Sequence, residues 1–204
     1  MVLDGLAGPL NERQREMLGY AQISIGQLTL LIEEILFLAR ADSGELVPHL
    51  SAVDPAATLT LAISSVREHL RENTITLTRT DAELPTTIRV DGERLREGLA
   101  GLLRAGIAMM PPEGVMIVAA STHEQMLQFA VTLTGVQLNA TDLIHLFERF
   151  YQPRPLGADR SAHPGLGLVI AQKTADWHGG NVQAIPAPDD GGLVLCYELP
   201  LGGS

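Results

Sequence analysis

The chain has 204 residues, 46% of them apolar and 19% charged, with a net charge of −10 and a single lysine, Lys173. That length allows a real core in one or two domains, and the acidic balance disfavours a nucleic-acid partner, because phosphate binding needs a basic surface. The lone cysteine, Cys196, lies in the apolar run LVLCYEL; no intrachain disulfide can form, which fits a reducing, cytoplasmic compartment. No uninterrupted apolar run reaches about 18 residues, so no membrane contact is expected of this segment. The opening MVLDGLAGPLNERQ reads as a helix tail and a turn, so a membrane-associated parent would carry its sensor upstream.

Asn11 is a good N-cap with Gln14 at capping-box spacing. Leu18, Ala21, Ile25, Leu28, Ile32, Ile35 and Ala39 then recur in steps of three and four, a coiled-coil seam. Met17, Leu31 and Leu38 widen the stripe to that of a helix bundle. A helix this apolar must pair, within the chain or with a second copy. Ala41-Asp42-Ser43-Gly44 ends it, and 45–50 is a linker with Pro48 stopping any continuation. Val53-Asp54-Pro55 reads as a strand end, an N-cap and a first helical proline, with Leu59, Ile63, Val66 and Leu70 on one face of the helix that follows.

Short strands are predicted at 75–78 and 88–90, around the turn Glu83-Leu84-Pro85. Asp91 caps a helix with Leu95, Leu99, Leu102, Leu103 and Ile107 inward, broken by Pro111-Pro112-Glu113-Gly114. A strand pair at 115–119 and 127–133 precedes a helix near 141–147. Gly165 and Gly167 open an amphipathic helix that closes on His178-Gly179-Gly180, where glycine supplies the left-handed exit. Those first glycines could bring backbone close to a phosphate at the positive end of the helix. Strands at 181–185 and 193–199, joined by Asp190-Gly191-Gly192, complete an α+β pattern: a mixed sheet covered by helices on one face.

FERFYQP, a lid-like loop, GLGLVIAQ and HGG, all within 146–180, together resemble the end of the ATP-binding domain of sensor histidine kinases. The segment GLAGPLNERQREML…LIEEILFLARADSGEL resembles the second helix of that family's dimerisation hairpin, which builds a four-helix bundle between two protomers. The resemblance implies two domains: 1–46 as part of a helical hairpin, and 51–204 as a two-layer α/β sandwich of the histidine-kinase ATPase (Bergerat) type. It also implies ATP and Mg²⁺ as the family's ligands.

The polar positions depart from that pattern. In RLREGLAGLLRAGIAMMP, residues 94–111, the leucines match, but Ala105 stands where the family's magnesium-binding asparagine would be. Gly101 replaces an earlier asparagine, and Ala108 a lysine or arginine. In FAVTLTGVQL, residues 129–138, Gly135 survives from the family's DxGxG turn, while Leu133 replaces the aspartate that reads adenine and Gln137 the second glycine. A leucine would leave the adenine amino group buried and unpaired, at a cost of roughly 1–3 kcal/mol. Gly165 and Gly167 remain, but Pro164 and Ala162 replace small or hydroxyl residues. Arg149, Arg154, Arg160 and Lys173 read as cations of a solvated loop face.

No H-E-x-x-x-P acceptor motif occurs, and His49, His69, His123, His145, His163 and His178 show no metal-ligand spacing. The expectation is therefore a regulatory pseudo-histidine-kinase core of a two-component or phosphorelay pathway, with no catalytic residue, metal or cofactor. Gly135, Gly165 and Gly167 form a vestigial nucleotide site. Arg13, Gln14, Met17 and Tyr20 are the candidate surface for a response-regulator receiver domain, with another kinase as a further partner and a homodimer formed through the hairpin. An active ATP-dependent kinase and an ATP-independent phosphotransferase are the alternatives.

Overall fold

A computed structural model describes residues 8–153, 165–187 and 191–201. The first element is a long helix, α1 (Glu12–Asp42), and its start follows the capping box: the Asn11 N–H donates to Gln14 Oε1 at 3.0 Å, and the Gln14 N–H to Asn11 Oδ1 at 2.8 Å. Strand β1 (Ser51–Val53) leads into α2 (Pro55–Ser65), capped by Asp54, whose carboxylate accepts from the N–H groups of Ala56 and Ala57. A short α3 (Arg67–Glu72) follows directly. One continuous apolar face was expected here, but the helix breaks at Val66, which ends α2 and starts α3 without a side-chain cap. Leu59, Val66 and Leu70 still point inward on either side of the break.

Strand β2 (Thr76–Asp81), β3 (Ile88–Val90), α4 (Gly92–Met109), β4 (Val115–His123), β5 (Met126–Thr134), α5 (Ala140–His145), α6 (Gly167–Trp177), β6 (Asn181–Pro186) and β7 (Gly192–Pro200) complete the chain. The main sheet runs β2-β4-β5-β7-β6, with β2 parallel to β4 and every other pair antiparallel. The flanking strands of the Glu83-Leu84-Pro85 turn do not pair with each other. Instead β3 pairs with β1 as a separate two-stranded ladder.

The sheet buries one face. Leu127, Phe129, Val131 and Leu133 of β5 are buried while the alternating residues are half-exposed, and Met116, Val118 and Ala120 of β4 do the same. Helices α2, α4 and α6 cover that side, and Leu59, Leu95, Leu99, Leu102 and Leu103 meet the strands with essentially no exposure. Inside this layer the Tyr197 hydroxyl donates to Thr174 Oγ1 at 3.1 Å, and Thr174 donates onward to the carbonyls of α6. Cys196 is a buried free thiol, and its burial pushes the thiol up from its ordinary range.

Helix α1 has two apolar faces. At about 100° per residue, Glu34, Phe37, Leu38 and Ala41 lie on the side that meets the α/β layer, where Leu38 packs with Leu166, Val169 and Ile170. The seam read from the sequence lies nearly opposite and faces solvent: Ile25, Leu28, Ile32 and Ile35 are 42–65% exposed. By length and composition α1 could also cross a membrane, contrary to the expectation from uninterrupted runs. Its glutamine, serine and glycine residues break the runs, while isoleucine and leucine keep the average high. A buried carboxylate, Glu34, on that helix fits a bundle packed against protein.

Candidate nucleotide cleft

The cleft lies between α4, the segment 146–153 and the start of α6. At the end of α4 away from the cleft, Asp91 is the N-cap, accepting from the N–H groups of Glu93 and Arg94 at 3.1 Å each and from the His49 N–H at 2.8 Å. Its own N–H donates to His178 Nε2 at 3.0 Å, and His178 Nδ1 lies 2.7 Å from the Thr174 carbonyl. His178 thus ties the end of α6 to the start of α4, and Gly179 (φ +69) and the Gly180 N–H bonded to the Ala175 carbonyl finish the helix. Burial opposes ionisation of Asp91, yet the backbone donors and the Arg94 guanidinium outweigh it and hold the carboxyl below its usual range.

One wall of the cleft is the first turn of α6. Gly165 adopts φ +70, and a Cβ there would run into the Tyr151 carbonyl. Gly167 lies against Gly101 backbone to backbone: a Cβ on Gly101 would sit 2.6 Å from the Gly167 carbonyl oxygen. Ala105 is the next small residue along the same face of α4, with its Cβ 3.5 Å from the one Gly167 lacks. Where α4 meets the sheet, Leu133 has no exposure, and a Cβ on Gly106 would lie 2.9 Å from its Cδ2 and 3.1 Å from Met116 Cε.

Between these walls remains a cleft of about 40 Å³ lined by Ala105, Ala108, Leu146, Tyr151, Gly165 and Gly167 among others. That admits two or three waters. The Tyr151 hydroxyl donates to Asp142 Oδ1 at 2.6 Å, a bond that raises the phenol above its ordinary range.

Of the glycines singled out in the sequence, Gly165 and Gly167 meet at the cleft with Ala105. Leu133 lies on the sheet against Gly106 and is not among the residues lining the cleft. Gly135 stands apart, exposed in the turn after β5 at φ +76, its N–H donating to the Gly191 carbonyl at 2.5 Å. Arg149 and Lys173 do not face the cleft as free cations; both engage Asp42. Arg154, Arg160, Ala162, His163 and Pro164 lie outside the described residues. Arg13, Gln14, Met17 and Tyr20 are exposed on the first turns of α1, with Gln14 in the capping box and the Tyr20 hydroxyl donating to Glu16. His145 pairs with Glu148 at 2.7 Å.

Sequence reading treated Gly101 and Gly106 as lost polar groups or passed over them, and missed their role in packing. Gly98, Gly101 and Ala105 at steps of three and four were the available signal: a stripe of small residues lets two helix backbones approach. A Cβ at Gly98 would run into Thr174 Oγ1. Asp42, Glu34 and Arg104 were missed because their partners are distant in sequence.

Residues 90–203 match the family described as histidine kinase-, DNA gyrase B-, and HSP90-like ATPase, and the chain belongs to that family. Within it, the similarities found point to histidine kinases. The chain is 27% identical over 179 residues to the circadian input-output histidine kinase CikA of Synechococcus elongatus, covering 86% of this chain and 24% of that protein. It is 27% identical over 191 residues to the sensor protein DivL of Caulobacter vibrioides, covering 94% and 24%. The chain thus spans about a quarter of the length of these relatives.

Among solved structures, full-length ShkA in complex with AMPPNP superposes with a TM-score of 0.75 at 23% identity, covering 97% of this chain and 41% of that one. Histidine kinase ThkA in complex with the response regulator TrrA gives 0.71 at 16%, covering 98% and 57%. The shared fold is the helix followed by an α/β sandwich.

Proposed function

We propose that this chain is the core of a regulatory pseudo-histidine-kinase in a two-component or phosphorelay pathway, acting at the cytoplasmic side by binding a response regulator or another kinase. It does not transfer phosphate from ATP. One observation carries this reading: the wall that should cradle phosphates lies directly on α4. A Cβ on Gly101 would meet the Gly167 carbonyl oxygen, and Ala105 beside them presents only a methyl group to the cleft.

ATP with Mg²⁺ does not fit the residues present. Ala105 offers no oxygen, Leu133 accepts no hydrogen bond, and about 40 Å³ is far below the 300–1,000 Å³ of ordinary ligand pockets. The vestigial site is thus Gly165 and Gly167, with Gly135 as the remnant of the family turn. The exposed residues Arg13, Gln14, Met17 and Tyr20 are the proposed docking surface for a receiver domain, and the open seam of α1 the proposed homodimer face. The complex of ThkA with a response regulator supports, by analogy of fold, a receiver-domain partner in general.

An active kinase with an unusual site is the second reading. It rests on the first turn of α6, which borders the cleft and has no side-chain cap among the described residues. Calorimetric titration with ATP·Mg²⁺ separates the two. No saturable heat is expected; a micromolar isotherm would defeat our reading and leave the kinase reading to a phosphotransfer assay.

A further inference from the structure

A second cavity, of about 160 Å³, lies between α1, α4 and the start of α6 and shares no lining residue with the nucleotide cleft. Glu33 and Glu34 border it from α1, and Arg96, Glu97 and Arg104 from α4. On α4 the spacing is helical: Glu97, Ala100 and Arg104 follow one another at steps of three and four, so they share a face. Ala100, buried between the two charged residues, contributes only a methyl group and so leaves room there.

Two buried atoms of this cavity are unsatisfied. Glu34 is 3% exposed, and its Oε1 accepts from Arg104 Nη2 at 3.0 Å. Among the described residues, Glu34 Oε2 and Arg104 Nε have no hydrogen-bond partner. One ionic bond therefore holds together an acceptor and a donor of opposite charge, each short of one contact. Burial raises the Glu34 carboxyl and the Arg104 guanidinium opposes that rise. A cationic group on Oε2 would favour the ionised form further.

The charges decide the class of guest. A simple amine would face two guanidinium groups, and a simple acid would face three carboxylates. A hydrocarbon would leave both polar atoms unpaired. A molecule with an ammonium and a carboxylate on one carbon satisfies both at once. Its size is bounded too, since a cavity near 150 Å³ takes a guest about as large as benzene. Leu30, Phe37 and Ile170 offer such a guest an apolar wall for a short hydrocarbon side chain.

We propose that this cavity binds a small aliphatic α-amino acid, its ammonium donating to Glu34 Oε2 and its carboxylate accepting from Arg104 Nε. The site stands apart from the nucleotide cleft and does not depend on whether that cleft binds ATP.

Titration of the full chain with L-valine, followed by ¹H–¹⁵N NMR, tests it. The Arg104 Nε–H resonance, assigned by its loss in Arg104→Lys, should shift saturably with a Kd on the order of 0.1–1 mM. Isobutylamine keeps only the ammonium of valine and 3-methylbutanoate only the carboxylate, and each should bind at least about tenfold more weakly. Glu34→Gln keeps an oxygen for Arg104 but sets an amide donor toward the ammonium, and should weaken valine by a similar factor. Shifts that spare Arg104 Nε–H, or none up to about 10 mM valine, would overturn the site. So would 3-methylbutanoate binding as tightly as valine, because that guest has no use for an ionised Glu34.

Discussion

Helices α4 and α1 are both rich in leucine, isoleucine and small residues, and they dispose of them in opposite ways. On α4 the apolar surface is consumed inside the molecule: ten of its residues are buried, and its glycines receive the backbone of α6 and the side chain of Leu133. On α1 only Glu34 and Leu38 are buried, and a full seam of isoleucine and leucine faces outward. Both were legible as apolar stripes. The difference lies in how much of each stripe the rest of the chain covers, and it divides the molecule into a closed cleft and a helix with an open apolar face.

Opening the closed side should produce the largest effect. Leu133→Ala removes a fully buried side chain from the centre of the sheet and should cost about 2–5 kcal/mol in chemical denaturation. Adding Gly106→Ala to that variant sharpens the test, because the new methyl enters the space Leu133 left. The double variant should be less destabilised than the sum of the two single ones. Strict additivity would mean that Gly106 and Leu133 do not share the space the geometry assigns them.

Next in size is Gly101→Asn, which restores the family residue at that position. Its Cβ meets the Gly167 carbonyl, so about 1–3 kcal/mol of stability should be lost as α6 is pushed outward. An asparagine accepted without loss, together with a new ATP·Mg²⁺ isotherm, would show that the cleft opens readily and that the two regions differ less than their packing implies.

A smaller effect belongs to Asp91, which with His178 joins the start of α4 to the end of α6. The Asp91 carboxyl is held below its ordinary value of 3.8, so its contribution is complete above that pH and is lost as pH falls through the lowered folded value. Asp91→Ala should remove about 1 kcal/mol near neutrality, as a lost cap does, and flatten the acid limb of the stability curve below about pH 4. An acid limb identical in both proteins would remove Asp91 from that role.

Much of this architecture was readable because its signals are local. Asn11 with Gln14, Asp54 with Pro55, Asp91, and His178-Gly179-Gly180 each mark a helix end by chemistry within four residues, and the strands alternate every second residue. The break at Val66 carries no glycine or proline and is set by packing. The pairing of β1 with β3 and of β2 with β4 joins strands that local turn chemistry does not connect. At the cleft, sequence reading weighed side-chain oxygens and not packing, since a glycine records absent atoms and says nothing of which backbone lies against it. Glu34, Asp42 and Arg149 were opaque for the same reason: an ion pair across 70 or 107 residues leaves no local mark.

The smallest expected effect on folding, and the one most diagnostic of the open side, comes from the seam of α1. Leu28 and Ile32 are 57% and 50% exposed and touch nothing that the α/β layer needs. Leu28→Glu with Ile32→Glu should therefore change unfolding stability by no more than about 0.5 kcal/mol. An exposed stripe of this kind in water is relieved by association, and a second copy offers an identical stripe for an isologous contact. Light scattering should show mass rising with concentration in the parent chain and constant monomer in the double variant, at equal stability. A parent chain that stays monomeric throughout would instead assign the seam to a different helix, and α1 would then be open only until that helix folds onto it.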